Sequence, residues 1–392
     1  MDNSYAEEPG LEFDDDAVTS FPDDETLPAD QQQVPESFEQ APATSGDIEL
    51  DTAYNYFKAR AAEFGPAIRR ALDEVIAPGR TRRWHLDQCN NQEKAYVGVN
   101  IENVLRQRFD LNEGLRGMDF DVNGVDVDCK WSRTYGGWQI PKEAVGHVCL
   151  LVYGDDLDNK MAIGVIRITE DILVGGNRDL KRTIQRPGGL ARARWICAVG
   201  AAALPENFLM SISKADRTAI LAPRGGDARA IELFKRCEGI IIYRNVIEAI
   251  GQQIDDARRF RGDVRKKLAA QGYEVLNGHR RIYRARALEL GGPEITDSTQ
   301  WLALRTDGST PARRAEMEPI RRREAETFRL EMIEELKKIR RIRSAARRAA
   351  RTEDLTLAQA SAEAEAIEQQ VRAAATSAEE AAVANALTTR EA

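Results

Sequence analysis

The chain has 392 residues and a formal net charge of −8, long enough for two or three domains with substantial cores. The charge is unevenly placed: residues 1–50 hold fifteen Asp or Glu and no Lys or Arg, so removing −15 from −8 leaves the remainder at +7. An acidic arm therefore precedes a mildly basic body, and only the body bears on nucleic acid.

Other classes are excluded early. No run of ~20 apolar residues offers a membrane span, and the acidic start is the opposite of a secretory leader. The five cysteines (Cys89, Cys129, Cys149, Cys197, Cys237) form no CxxC pair, and three histidines cannot complete a zinc cluster with them. Reduced core thiols and a cytoplasmic setting are expected.

In chain order, residues 1–51 are read as a disordered arm, too poor in large apolar groups to fold. Tyr54, Phe57, Ala61, Phe64, Ile68, Ala71, Leu72 and Val75 recur at helical spacing until Pro78-Gly79 ends the run. A second helix is expected from Gln92 to Phe109. Strand-like runs follow at Met118–Val122, Val125–Trp131, His147–Tyr153 and Met161–Ile168. Together these predict a compact α/β domain over 52–170.

Residues 171–292 are read as a second, mainly helical domain. Helices are expected at Ala228–Cys237, Arg244–Ile250 and Ala257–Gln271, then a hairpin with Tyr273–Leu276 and Arg280–Arg286 as strands about Asn277-Gly278. Residues 257–286 contain ten Lys or Arg against two acids. Helices followed by a basic helix and wing describe a winged helix-turn-helix. Arg258, Arg259, Arg261, Arg265, Lys266, Lys267, Arg280 and Arg281 are its candidate DNA contacts. Residues 293–392 are read as a linker and helical tail. Pro319 is expected to open a long helix to about Arg351, with Phe328, Met332, Leu336 and Ile339 as an apolar stripe. The Ala- and Glu-rich 355–388 reads as a solvated helix or short coiled coil.

The chemistry lies in Gly117-Met-Asp-Phe-Asp-Val-Asn-Gly-Val-Asp-Val-Asp-Cys-Lys130. Asn123-Gly124 is a strong two-residue hairpin signal, because a type I′ turn needs two residues tolerant of positive φ. Pairing outward from it sets Val122 against Val125, Asp121 against Asp126, Phe120 against Val127 and Asp119 against Asp128. The two-residue period then puts Asp119, Asp121, Asp126, Asp128 and Lys130 on one face. Opposed carboxylates ~4.5–5.5 Å apart at Cβ repel unless something compensates, and a hard cation such as Mg2+ suits such oxygens. Asp121 and Asp126 lie nearer the turn and are given supporting or solvated roles. His85 and His147 have no evident partner and read as structural or surface residues.

Asp119, then Asp128-Cys129-Lys130, resembles the PD-(D/E)xK nuclease motif in the form seen in NaeI-type type II restriction endonucleases, with Met118 where a proline is common. Glu93-Lys-Ala-Tyr-Val-Gly-Val-Asn-Ile-Glu102 resembles the family's acid-bearing helix, and Lys130-Trp-Ser132 with Gly137-Trp-Gln-Ile-Pro141 the core that follows. The resemblance covers about residues 55–290. It implies a restriction-endonuclease-like α/β core, with Asp119, Asp128 and Glu102 as metal ligands and Lys130 as the catalytic cation. It also implies cutting of both strands of duplex DNA at a short palindrome by a homodimer, and a second domain that binds another duplex and stimulates cutting. The rival readings are a strand-nicking endonuclease of the mismatch-repair kind, sharing the core, and a winged-helix regulator that leaves DNA intact.

Overall fold

The computed structural model describes residues 44–176, 180–251 and 263–352. The first helix, α1 (Ile48–Lys58), begins where the Asp47 side chain accepts the Leu50 amide, which satisfies one of the free N–H groups of the first turn. Asp47 and Glu49 also pair with Arg167. The folded body therefore starts inside the expected arm, not after residue 51.

The single expected run over 54–75 is divided into α1 and α2 (Ala61–Ile76). Arg60 donates to the Tyr56 carbonyl at 3.0 Å and lies over the Tyr56 ring, taking up a carbonyl that continued helix would have used. Phe57 and Phe64 keep helical spacing across this break, and both pack against Phe109. The apolar pattern therefore carries no sign of it. A short α3 (Pro78–Thr81) follows. The next helix, α4 (Asn91–Phe109), is set by a capping box between Asn90 and Glu93, reinforced by Arg83 on the Glu93 carboxylate.

The strands are β1 (Phe120–Val122), β2 (Val125–Ser132), β3 (Gln139–Ile140), β4 (Val148–Asp155), β5 (Lys160–Arg167), β6 (Leu173–Val174), β7 (Arg182–Ile184) and β8 (Arg194–Cys197). The main sheet has the order β1-β2-β4-β5-β8, with β2 and β4 parallel and the other neighbours antiparallel. Its one face carries Val127, Cys129, Leu150, Val152 and Ile163 into a core with α1, α2 and α4. The other carries Cys149, Leu151 and Tyr153 against Trp138 and the small sheet β3-β7-β6. The expected boundary at 170 cuts through this body. β8 completes the main sheet, and Trp195 packs on Tyr135 and Trp138.

Beyond it come α5 (Lys214–Leu221), α6 (Gly226–Arg236), β9 (Ile242–Tyr243), α7 (Arg244–Gly251), α8 (Arg265–Ala269), β10 (Tyr273–Asn277), α9 (Arg281–Glu289) and β11 (Gln300–Arg305). The expected basic hairpin is absent here: Arg281–Glu289 is a helix, and β10 pairs with β11. Asn277 and Gly278 do not take the positive φ of the Asn123-Gly124 turn. Gly278 instead packs on the Asp297 carbonyl, where a Cβ would come within 1.7 Å of the oxygen. The Arg, Ala and Leu residues that follow favour helix, and Ala287 and Leu290 bury against Leu302 and Leu304. Because β11 is central in the sheet β10-β11-β9, the expected boundary at 292 also falls inside a folded unit.

The last helix, α10 (Thr310–Thr352), begins nine residues before Pro319 and runs through it. A buried polar seam joins the two bodies. Arg69 of α2 pairs with Asp156 and, at 2.8 Å, with Asp73, whose other oxygen accepts from Asn245 of α7 at 3.2 Å. Asn207 donates to the Trp84 carbonyl and to Asp156. His85 is buried there, and its Nδ1 accepts the Asp87 amide at 3.1 Å.

Candidate active site

The β1–β2 hairpin has the expected register, Val122 to Val125, Asp121 to Asp126 and Phe120 to Val127. Asn123 (φ 53°) and Gly124 (φ 84°) make the tight turn. Its acids have separate tasks. Asp121 accepts the Gly124 amide at 2.6 Å, and Asp126 accepts the Leu115 amide at 2.8 Å. Both hold local backbone, which leaves Asp119 and Asp128 for the site.

Asp119 immediately precedes β1. Its Oδ2 accepts the Cys129 amide at 2.7 Å, and its carbonyl accepts from Arg106 of α4 at 3.0 Å. Asp128 is 5% exposed. Its Oδ1 accepts from Lys130 Nζ at 2.7 Å, and its Oδ2 lies 3.6 Å from Cys149 Sγ. Glu102 of α4 feels the charges of Asp119, Lys130 and Asp128.

The electrostatics are those of crowded anions. Burial, then the neighbouring Asp119 carboxylate, pushes Glu102 up to about 7. Burial, countered by the Cys129 amide and assisted by Asp128, pushes Asp119 up to about 6. Burial works against a charged Lys130, but Asp128 and Asp119 outweigh it and raise its pKa above the ordinary lysine range. Lys130 is thus a permanent cation beside carboxylates that gain from any further positive charge. Among the described residues no three His, Cys, Asp or Glu side chains converge into a complete metal cage. Asp119 and Asp128 nevertheless offer hard oxygens of the kind that share a small dication with water and phosphate.

The candidate DNA contacts separate into distinct environments. Lys266 and Lys267 are exposed on α8. Arg265 instead donates to the Tyr283 hydroxyl at 3.2 Å and stacks near Trp301, a packing position. Arg280 and Arg281 are exposed, at the cap and first turn of α9 rather than on a strand. Arg258, Arg259 and Arg261 lie outside the described residues.

Sequence reasoning missed two things. Cys149 reads as an apolar core residue, and only the parallel pairing of Asp128 with Cys149 sets its thiol beside the site. The Arg69–Asp156 seam joins residues 87 positions apart, with no local signal.

The family model for restriction endonuclease NaeI matches residues 57–337. The chain belongs to the NaeI restriction endonuclease family. It is similar to the type II restriction enzyme NaeI of Lentzea aerocolonigenes, 34% identical over 234 residues that cover 58% of this chain and 73% of that protein. Its activity is accordingly that of a type II restriction endonuclease. The NaeI match takes in both bodies and the first part of α10, whereas the sequence resemblance was expected to end near 290.

Proposed function

We propose that the chain hydrolyses both strands of duplex DNA at a short specific site, with Asp119 and Asp128 as the protein ligands to Mg2+, Glu102 as a further carboxylate beside them and Lys130 as the catalytic cation. The observation that carries this is the hairpin end itself. There Asp119 is drawn onto the Cys129 amide, and Asp128 is held by Lys130 two residues further along the same strand face. Magnesium would supply a Lewis acid for the scissile phosphate and a more acidic water. The protein's own share is positional and electrostatic. Asp119 and Asp128 fix the ligand oxygens, and Glu102 adds a third anion from α4. Lys130 places a positive charge where negative charge develops on the phosphate during water attack.

The second body supports a winged-helix reading. Its described order is α6, β9, α7, α8, β10, β11, with a three-stranded sheet β10-β11-β9 and α9 in the position of the wing. On this reading Lys266, Lys267, Arg280 and Arg281 meet a second duplex, and palindromic cutting is carried out by a homodimer. No helix among the described residues is long and apolar enough to cross a membrane.

The test is incubation of the full chain with supercoiled plasmid, with and without Mg2+, followed by sequencing of the ends. Linear product with one recurrent end sequence is expected. Nicked circles alone would favour a strand-nicking enzyme, and intact plasmid bound tightly would favour a regulator. Asp128→Asn should abolish cutting while retaining duplex binding in calcium; full activity in that variant would refute the site.

A further inference from the structure

We propose that Cys149 is a positioning residue of the nuclease site: its thiol donates a hydrogen bond to Asp128 and holds that carboxylate in the orientation in which it takes the divalent cation. The inference rests on the metal role proposed for Asp128 above and adds a further residue to the same site.

The placement follows from the sheet. Strands β2 and β4 run parallel, and Asp128 lies opposite Cys149. Both side chains therefore emerge on one face. The neighbours of Cys149 on that face are buried and apolar: Leu151 and Tyr153 along β4, and Ile166 across on β5. Because β4 is an inner strand paired on both sides, its backbone at 149 is fixed by two ladders. Cys149 and Asp128 are both buried, and Cys149 Sγ lies 3.6 Å from Asp128 Oδ2, within reach for the large sulfur atom. A carboxylate paired with an ammonium offers lone pairs and no proton, so the hydrogen in this contact belongs to the thiol.

The two oxygens of Asp128 thus have different holders. Lys130 Nζ, on the same strand, takes Oδ1 at 2.7 Å, and Cys149, on the neighbouring strand, takes Oδ2. One contact would leave the carboxylate free to turn about its Cβ–Cγ bond. Contacts on opposite oxygens fix its plane, and each oxygen keeps a lone pair for a cation. Asp119 is held in a comparable way, by the Cys129 amide on Oδ2 and by Arg106 on its carbonyl. An apolar side chain at 149 would leave Oδ2 of Asp128 against hydrocarbon, its desolvation uncompensated, and would let the carboxylate turn toward Lys130.

A core-filling residue and a donor to Asp128 rank substitutions in opposite order. If Cys149 only fills space, valine is the best replacement and serine the worst, since serine buries a hydroxyl. If its thiol orients Asp128, serine keeps the function, and valine and alanine lose it.

The test compares the full-length parent with Cys149→Ser, Cys149→Val and Cys149→Ala. The rise of the urea midpoint with Mg2+ concentration reports cation affinity with no DNA present and nothing cut. Single-turnover cleavage of plasmid, measured against Mg2+ concentration, separates the half-saturating Mg2+ from the maximal rate. The Val and Ala variants should need about 10-fold more Mg2+ in both readouts, the lower end of the ~10–100-fold expected for partners that orient metal ligands, because a thiol is a weak donor. The Ser variant should stay close to the parent, even if its midpoint in EDTA is the lowest of the four. If the Ala variant does not fold, the Val variant, which keeps the core filled, carries the comparison. A Val variant that needs no more Mg2+ than the parent overturns the proposal, and so does a Ser variant as impaired as Val. A parent whose midpoint and cleavage both ignore Mg2+ overturns the metal role of Asp128 and this proposal with it. Mg2+ dependence that is present in the parent and unchanged in the Val variant refutes the role of Cys149 alone.

Discussion

Replacing Glu102 with Gln should make the metal-free protein more stable at alkaline pH and leave it unchanged near pH 4.5. Burial and Asp119 lift this carboxyl from its ordinary 4.5 to about 7. The folded state therefore holds a proton that the unfolded chain releases between those values. Stability from that proton is complete below pH 4.5 and is lost as pH rises through 7. A shift of this size corresponds to about 3 kcal/mol. The site titrates as a group and Glu102 is partly open to water, so about 1–2 kcal/mol is the expected gain from Glu102→Gln at pH 8.5. The assay is urea unfolding in EDTA at pH 4.5 and 8.5, followed by the intrinsic fluorescence of the five tryptophans. Added Mg2+ should narrow the difference, because a bound dication relieves the same repulsion. A variant less stable than the parent at pH 8.5, or a difference independent of pH, would refute the crowded-anion account.

Lys130→Ala should lower the single-turnover cleavage rate at least ~100-fold, the scale of losing one stabiliser of transition-state charge, with duplex affinity in calcium nearly unchanged. An affinity collapse with the rate intact would make Lys130 a phosphate anchor. Arg69→Met should cost about 3–5 kcal/mol, since it leaves Asp156 and Asp73 buried beside each other without their cation; a urea midpoint within error of the parent would contradict the role of the seam. Deleting residues 1–43 should leave unfolding and cutting unchanged. Deleting 1–50 removes the Asp47 cap and its pairing with Arg167 and should cost about 1 kcal/mol or more, so equal midpoints for the two truncations would show that the Asp47 contacts contribute nothing.

The hairpin at 117–130 was legible from its residues alone. Asn-Gly admits few turns, and a period of two assigns each side chain to a face, so the register from Val122–Val125 out to Phe120–Val127 follows from local rules. Helix α4 was legible for the same reason, because its apolar spacing and its Asn90–Glu93 box lie within a few residues of one another. The second Asn-Gly shows the limit. At 277–278 the dipeptide serves close packing on Asp297, and the residues after it become a helix because Ala287 and Leu290 have a distant core to enter. Placing β8 in the main sheet, β11 between β9 and β10, and Cys149 beside Asp128 required pairing partners far along the chain. Local propensity and periodicity act over a handful of residues, whereas strand order, buried ion pairs and the approach of a thiol to a carboxylate are decided by which distant surfaces bury together.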